Sequence, residues 1–201
     1  NTATCLIAWY SFGRIAKKRR ITFIACLIYC MSMYRLTNIY VRAAVGEYTA
    51  MTFLPLVLYG LYRIYEKDQE TLEFADVLPL VFGVTGIVQS HVLSIEISAE
   101  FIALFALVMC RKTFKKRRFL MLLLATGMAV LLNVGVLYVL YSGMKMDVII
   151  TSAFASYNIQ SDALVPAQLF TIFGNAEGLS NNRGTYCDIP FAPGIGIIIG
   201  C

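Results

Sequence analysis

Charge is scarce in this sequence. Lysine, arginine, aspartate and glutamate together make up 14% of its 201 residues, where a soluble domain carries about 25%, and the mean hydropathy is +0.71. That shortage excludes an ordinary water-soluble domain and points to an integral membrane protein. Histidine occurs once, at His91, and a lone histidine is more often a hydrogen-bonded interfacial residue than a catalyst. The six cysteines show no paired metal spacing and imply no disulfide framework. Cys26 and Cys30 share a helix face as small core residues, and Cys187 alone falls in an expected outside loop. No Asn-x-Ser/Thr acceptor, internal repeat or low-complexity tract is present. The chain reads as an excerpt, beginning at Asn1 and stopping at Cys201 inside a fresh apolar run.

The charge that is there is segregated. Arg14, Lys17, Lys18, Arg19 and Arg20 form one basic cluster, and Arg111, Lys112, Lys115, Lys116, Arg117 and Arg118 a second. Basic clusters between apolar segments mark cytoplasmic loops. They could also attract anionic lipid head groups. As short connectors rather than a face of a soluble domain, they do not fit nucleic-acid binding.

Taken in order, residues 1-13 end a descending span and Ile21 to Tyr34 rises. Glu47 to Tyr65 descends with an expected kink at Pro55. An acidic connector, Glu66 to Asp76, is followed by Val77 to Leu93 rising and a tight connection at Ser94. Ile97 to Cys110 then descends, and Phe119 to Ser142 reads as one full-length crossing containing Asn133. This alternation places both basic clusters on one side. The expected fold is an all-α polytopic transmembrane bundle of about five to six spans. Its expected organisation is a transmembrane region over 1-142, an extracytoplasmic loop with surface helices over 143-193, and a further span beginning at 194-201.

The stretch with most chemistry is Arg35 to Glu47. It sets two arginines and a carboxylate between apolar segments, where an ionised group is costly unless it faces protein, water or a charged ligand. On a helix, Arg35, Asn38, Arg42, Gly46 and Thr49 share one stripe, and Glu47 lies about 140° from Arg42. If Arg42 and Glu47 act on one ligand, the backbone turns near Gly46.

The run YRLTNIYVRAAVGEYTAMTFLPLVLYGLYRIY, followed by GIVQSHVL, resembles the bacterial 6-pyruvoyl-tetrahydropterin synthase-related (YfhO-like) membrane proteins over about residues 20-110. Despite its label that family has no evident pterin chemistry. It is grouped with the GT-C glycosyltransferases, which transfer a sugar from a polyprenyl-phosphate donor on the outer face. The resemblance implies a GT-C-like bundle in the bacterial plasma membrane. It carries over Arg42, Gly46, Glu47 and His91, with Arg35 as neighbour. The resemblance implies that the acidic catalytic motif of such enzymes, carried in their first outside loop, is expected ahead of Asn1.

On that reading Arg35 and Arg42 bind the donor phosphate as bidentate forks; the alternative is that both snorkel to lipid phosphates. Glu47 and His91 are the catalytic candidates. Glu47 would orient Arg42, bind a metal or assist the acceptor hydroxyl, against a plain helix N-terminal carboxylate. No cofactor is legible, although His91 with Glu96 and Glu100 leaves a divalent cation site open. Glu100, inside an apolar segment, is expected to have a partner. The partners expected are a polyprenyl-phosphate-linked sugar and membrane lipids, with no nucleic acid. Two further readings stand beside the transferase: a transporter or lipid flippase, and a non-catalytic scaffold of envelope assembly.

Overall fold

The computed structural model describes residues 1–145, which form helices and no strand. The all-α expectation therefore holds over these residues. The surface helices expected within 147–174, Cys187 and the span expected from Gly194 lie outside the described residues. The helices are α1 (Thr2–Ala16), α2 (Arg19–Cys30), α3 (Met33–Tyr40), α4 (Val45–Glu66), α5 (Phe74–Val88), α6 (Val92–Val108), α7 (Cys110–Thr113), α8 (Lys116–Leu132) and α9 (Val134–Lys145), with a single 3₁₀ turn at Gln69–Thr71. The described residues divide into two units, one of residues 1–30 and 45–139, the other of 31–44 and 140–145.

The first unit is built around α4 and α5. Ala50, Val57, Leu61 and Ile64 of α4 recur at helical spacing and are buried against Val77, Leu80, Val81 and Ile87 of α5. Glycine lets the two backbones close in. A Cβ at Gly83 would lie 2.8 Å from the Val57 backbone nitrogen, and one at Gly60 would overlap the Leu80 backbone. Small residues at a helix crossing are the packing device available where apolar burial alone does not draw helices together. On the other side α1 packs against α4 and α2. Its buried face is Thr4, Ala8 and Ser11, and the Thr4 hydroxyl is satisfied by Thr52 at 2.8 Å. Lys17, in the left-handed conformation at φ 57°, ends α1 and turns the chain into α2.

Polar chemistry collects at one end of this unit. Lys17 pairs with Glu66 at 3.1 Å, and Asp76, fully buried, accepts from both Arg63 and Lys67. Asp76 also closes a capping box with Glu73 at the start of α5. Arg118 is buried and donates to the carbonyls of Ile64, Lys67 and Lys112. The first two carbonyls belong to the C-terminal end of α4 and the residue after it, where the helix leaves acceptors unsatisfied. Arg117 reaches the Leu72 carbonyl. Both basic clusters and the C-terminal end of α4 thus meet at one pole, as the up-and-down order of segments requires.

Three sequence expectations are corrected. Phe119 to Ser142 is not one continuous helix: it breaks at Asn133, and α8 and α9 are bent by 67°. The reason is that Asn133 is buried and turned toward α5, where its amide donates to the Thr85 hydroxyl at 3.2 Å and its carbonyl oxygen accepts from Gln89 at 3.3 Å. The turn between α5 and α6 lies at Gln89–His91 rather than Ser94, because His91 caps α6. The stripe from Arg35 to Thr49 does not lie on one helix, since the chain leaves helix between Tyr40 and Val45. Among the described residues no single helix is long and apolar enough to cross a membrane. The pairs α2 with α3 and α8 with α9 each pass together by length and composition.

Candidate functional site

Arg35 and Arg42 belong to the second unit, on and just after α3. Arg35, Thr37 and Asn38 are buried, and Arg42 is exposed. The helix ends as a reversal: the Val41 and Arg42 amides both donate to the Thr37 carbonyl, and the Ala44 amide donates back to Asn38 at 2.9 Å. Ala43 takes φ 50°, the left-handed position that helix ends usually give to glycine. The turn that the sequence placed near Gly46 therefore falls at Ala43. It folds Arg42 back so that its Nη1 donates to Asn38 Oδ1 at 2.8 Å. Asn38 is fully buried, and its Nδ2 has no hydrogen-bond partner among the described residues. A buried amide donor left in that state costs about 1–3 kcal/mol, so this turn holds an amide donor beside a fixed guanidinium.

Glu47 and His91 belong to the first unit, at the end opposite the basic clusters. Glu47 is half-buried in the first turn of α4, where the helix dipole favours a carboxylate. His91 caps α6, its Nδ1 accepting from the Ser94 amide at 3.3 Å and lying 3.0 Å from the Ser94 hydroxyl. Gly46, the residue before Glu47, packs on the turn that carries His91. A Cβ there would lie 2.8 Å from the Ser90 carbonyl and 3.1 Å from the His91 ring, so only glycine lets the start of α4 meet the turn before α6.

The cation site suggested for His91, Glu96 and Glu100 does not assemble. No three of the His, Cys, Asp and Glu side chains among the described residues are placed to hold a metal ion. Five and nine residues beyond His91, the carboxylates point about 140° and 180° away round the helix, and His91 Nδ1 is committed to its cap. The partner expected for Glu100 is likewise missing among the described residues: α6 buries none of its residues, and Glu100 is exposed on its outer face.

Two features lay beyond the sequence reading. Arg118, counted there with the second basic cluster, is the structural anchor of the basic pole. The available signal was spacing, since Arg118, Ala125, Ala129 and Asn133 form one buried stripe on α8 and its cap. The other is an apolar cleft of about 530 Å³ between α6 and α8, floored by α4 and α5, which no local pattern announces. No family model, curated protein or solved structure matches this chain.

Proposed function

We propose that this chain is part of a multi-pass protein of the bacterial plasma membrane, and that it transfers a sugar from a polyprenyl-phosphate donor in the manner of the GT-C glycosyltransferases it resembles. The supporting observation is the α3 turn, where Asn38 holds Arg42 at 2.8 Å and keeps a buried amide donor beside it. A guanidinium held beside an amide donor is the kind of group that pairs with phosphate oxygens. In the reaction the acceptor hydroxyl attacks the anomeric carbon, the bond from that carbon to phosphate oxygen breaks, and polyprenyl phosphate leaves with the electron pair. Arg42, with Arg35 in the same segment, neutralises the charge gained by the leaving phosphate. The proton of the acceptor hydroxyl passes to a base, for which Glu47 and His91 are the candidates that the sequence resemblance offers.

A transporter or flippase is favoured by a different observation, the helix break at Asn133 with its Thr85 and Gln89 partners, since discontinuous helices line pathways in transporters. The deciding experiment is binding of radiolabelled polyprenyl-phosphate sugar to the full-length protein in detergent. Binding that is lost in Arg42→Ala and not restored in Arg42→Lys supports the transferase. A folded wild type that binds no such donor, or normal turnover in Arg42→Ala, removes it.

A further inference from the structure

The cleft between α6 and α8 is enclosed on three sides by carbon. Its floor includes Val84, its α6 wall Ala99 and Ala103, and its α8 wall Leu122 and Ala129. Small side chains on α6 hold the cleft open rather than filling it. Phe119 and Asn133, both in its lining, are separated by about 20 Å of α8 at roughly 1.5 Å per residue. That length exceeds one leaflet, half of a hydrocarbon core about 30 Å thick, so an extended acyl chain fits along it. The volume falls in the range of small-molecule sites, roughly 300–1,000 Å³.

One end of the cleft is charged. The chain from α6 to α8 passes through Thr113, which lines the cleft. It carries Arg111, Lys112 and Lys115, all exposed and with no acidic partner among the described residues. At the same pole Lys17, Arg63 and Lys67 are each paired with a carboxylate. Uncompensated cations beside an apolar slot of acyl length match the two halves of one molecule.

We propose that the cleft between α6 and α8 holds one acyl chain of an anionic phospholipid, whose headgroup phosphate is taken by Arg111, Lys112 and Lys115. This rests on the membrane reading above and not on sugar transfer. The lipid would bridge α6 and α8, which both pack on α5, and so complete a wall that the described residues leave open.

The test uses the full-length protein, first located by membrane fractionation. It is then exchanged into micelles containing phosphatidylglycerol or phosphatidylcholine of equal chain length and examined by native mass spectrometry. The expected result is one retained phosphatidylglycerol, favoured about tenfold or more over phosphatidylcholine, as clustered cations favour anionic lipid. The triple variant Arg111→Gln, Lys112→Gln, Lys115→Gln should lose the preference. Ala103→Trp, which fills the cleft from an exposed position, should lose retention of both lipids, each variant keeping wild-type helix content by circular dichroism. The proposal is overturned by equal retention of the two lipids, by retention unchanged in Ala103→Trp, by preferred retention of polyprenyl phosphate, or by a second copy of the chain occupying the cleft. A protein found outside the membrane fraction overturns it together with the membrane reading. Selective phosphatidylglycerol retention without sugar-donor binding supports it while removing the transferase.

Discussion

Asn133 donates its side-chain amide to the Thr85 hydroxyl at 3.2 Å across a separation of 48 residues. The same side chain bonds the Ala129 carbonyl at 2.7 Å and accepts from Gln89. One residue thus ends α8 and ties that end to α5. Asn133→Ala leaves Gln89 and Thr85 without this partner and should destabilise the protein by about 1–3 kcal/mol. Thermal unfolding in detergent measures it, and an unchanged midpoint would dissociate the break from this network.

Arg118 uses Nε and both terminal nitrogens on carbonyl oxygens and lies 5.6 Å from the Tyr65 ring centroid. Arg118→Met removes those donors while keeping the stem, and should cost about 1.5–3 kcal/mol, the scale for hydrogen bonds made by a charged group. Arg118→Lys should recover only part, because an ammonium cannot reproduce the planar fork. Full recovery by lysine would show that charge alone matters there.

Asp76 makes acid stability measurable. Burial pushes its carboxyl up, but the Glu73 backbone amide, Lys67 and Arg63 outweigh that and hold it below the ordinary carboxylate range. The unfolded chain then binds more protons, so the stabilisation is fully present above the unfolded value near 4 and is lost as pH falls through the folded one. Asp76→Asn should lower the unfolding midpoint by a constant amount at neutral pH, and the gap to wild type should close in acid. A gap independent of pH would assign the effect to packing.

Gly83 tests the α4–α5 crossing. Its missing Cβ would stand 2.7 Å from Val57 Cγ2 and 2.8 Å from the Val57 backbone nitrogen, and a backbone cannot move aside as a side chain can. Gly83→Val should cost at least the 1–3 kcal/mol typical of overpacking, about the same in any detergent. A neutral result would mean that the two helices stand farther apart.

Cys5 and Cys30 offer a chemical check on the α1–α2 hairpin. Their sulfurs are 3.7 Å apart and must approach to about 2.05 Å to bond. With copper phenanthroline and oxygen as oxidant, both thiols lose a proton and together two electrons, giving one intramolecular disulfide. Mass spectrometry of the peptides should find Cys5 linked to Cys30 and lost in Cys30→Ser. Exclusive linkage of Cys26 to Cys5 would shift the register of α2 by one turn.

How much of the candidate site was legible follows residue by residue. Arg35, Asn38 and Arg42 stood out as polar groups in apolar surroundings, and the structure keeps Arg42 beside Asn38. It does so by a left-handed alanine, which has no sequence signature of the kind glycine provides. Glu47 and His91 were singled out separately, and the packing of the start of α4 on the turn before α6 depends on Gly46 meeting the Ser90 carbonyl. The cation site failed because nearness in sequence on a helix does not put side chains on the same face.

The order of helices, the absence of strands over residues 1–145 and the gathering of basic clusters at one pole follow from the sequence alone. Apolar periodicity and the cost of burying charge act locally, and each segment carries that information within itself. Tertiary structure alone decided where helices break, which arginine is buried and where a cleft remains. Those outcomes depend on partners far along the chain, as Asn133 does on Thr85 and Arg118 on Ile64. A side chain's lowest-energy conformation is set by which donor or acceptor the fold brings to it.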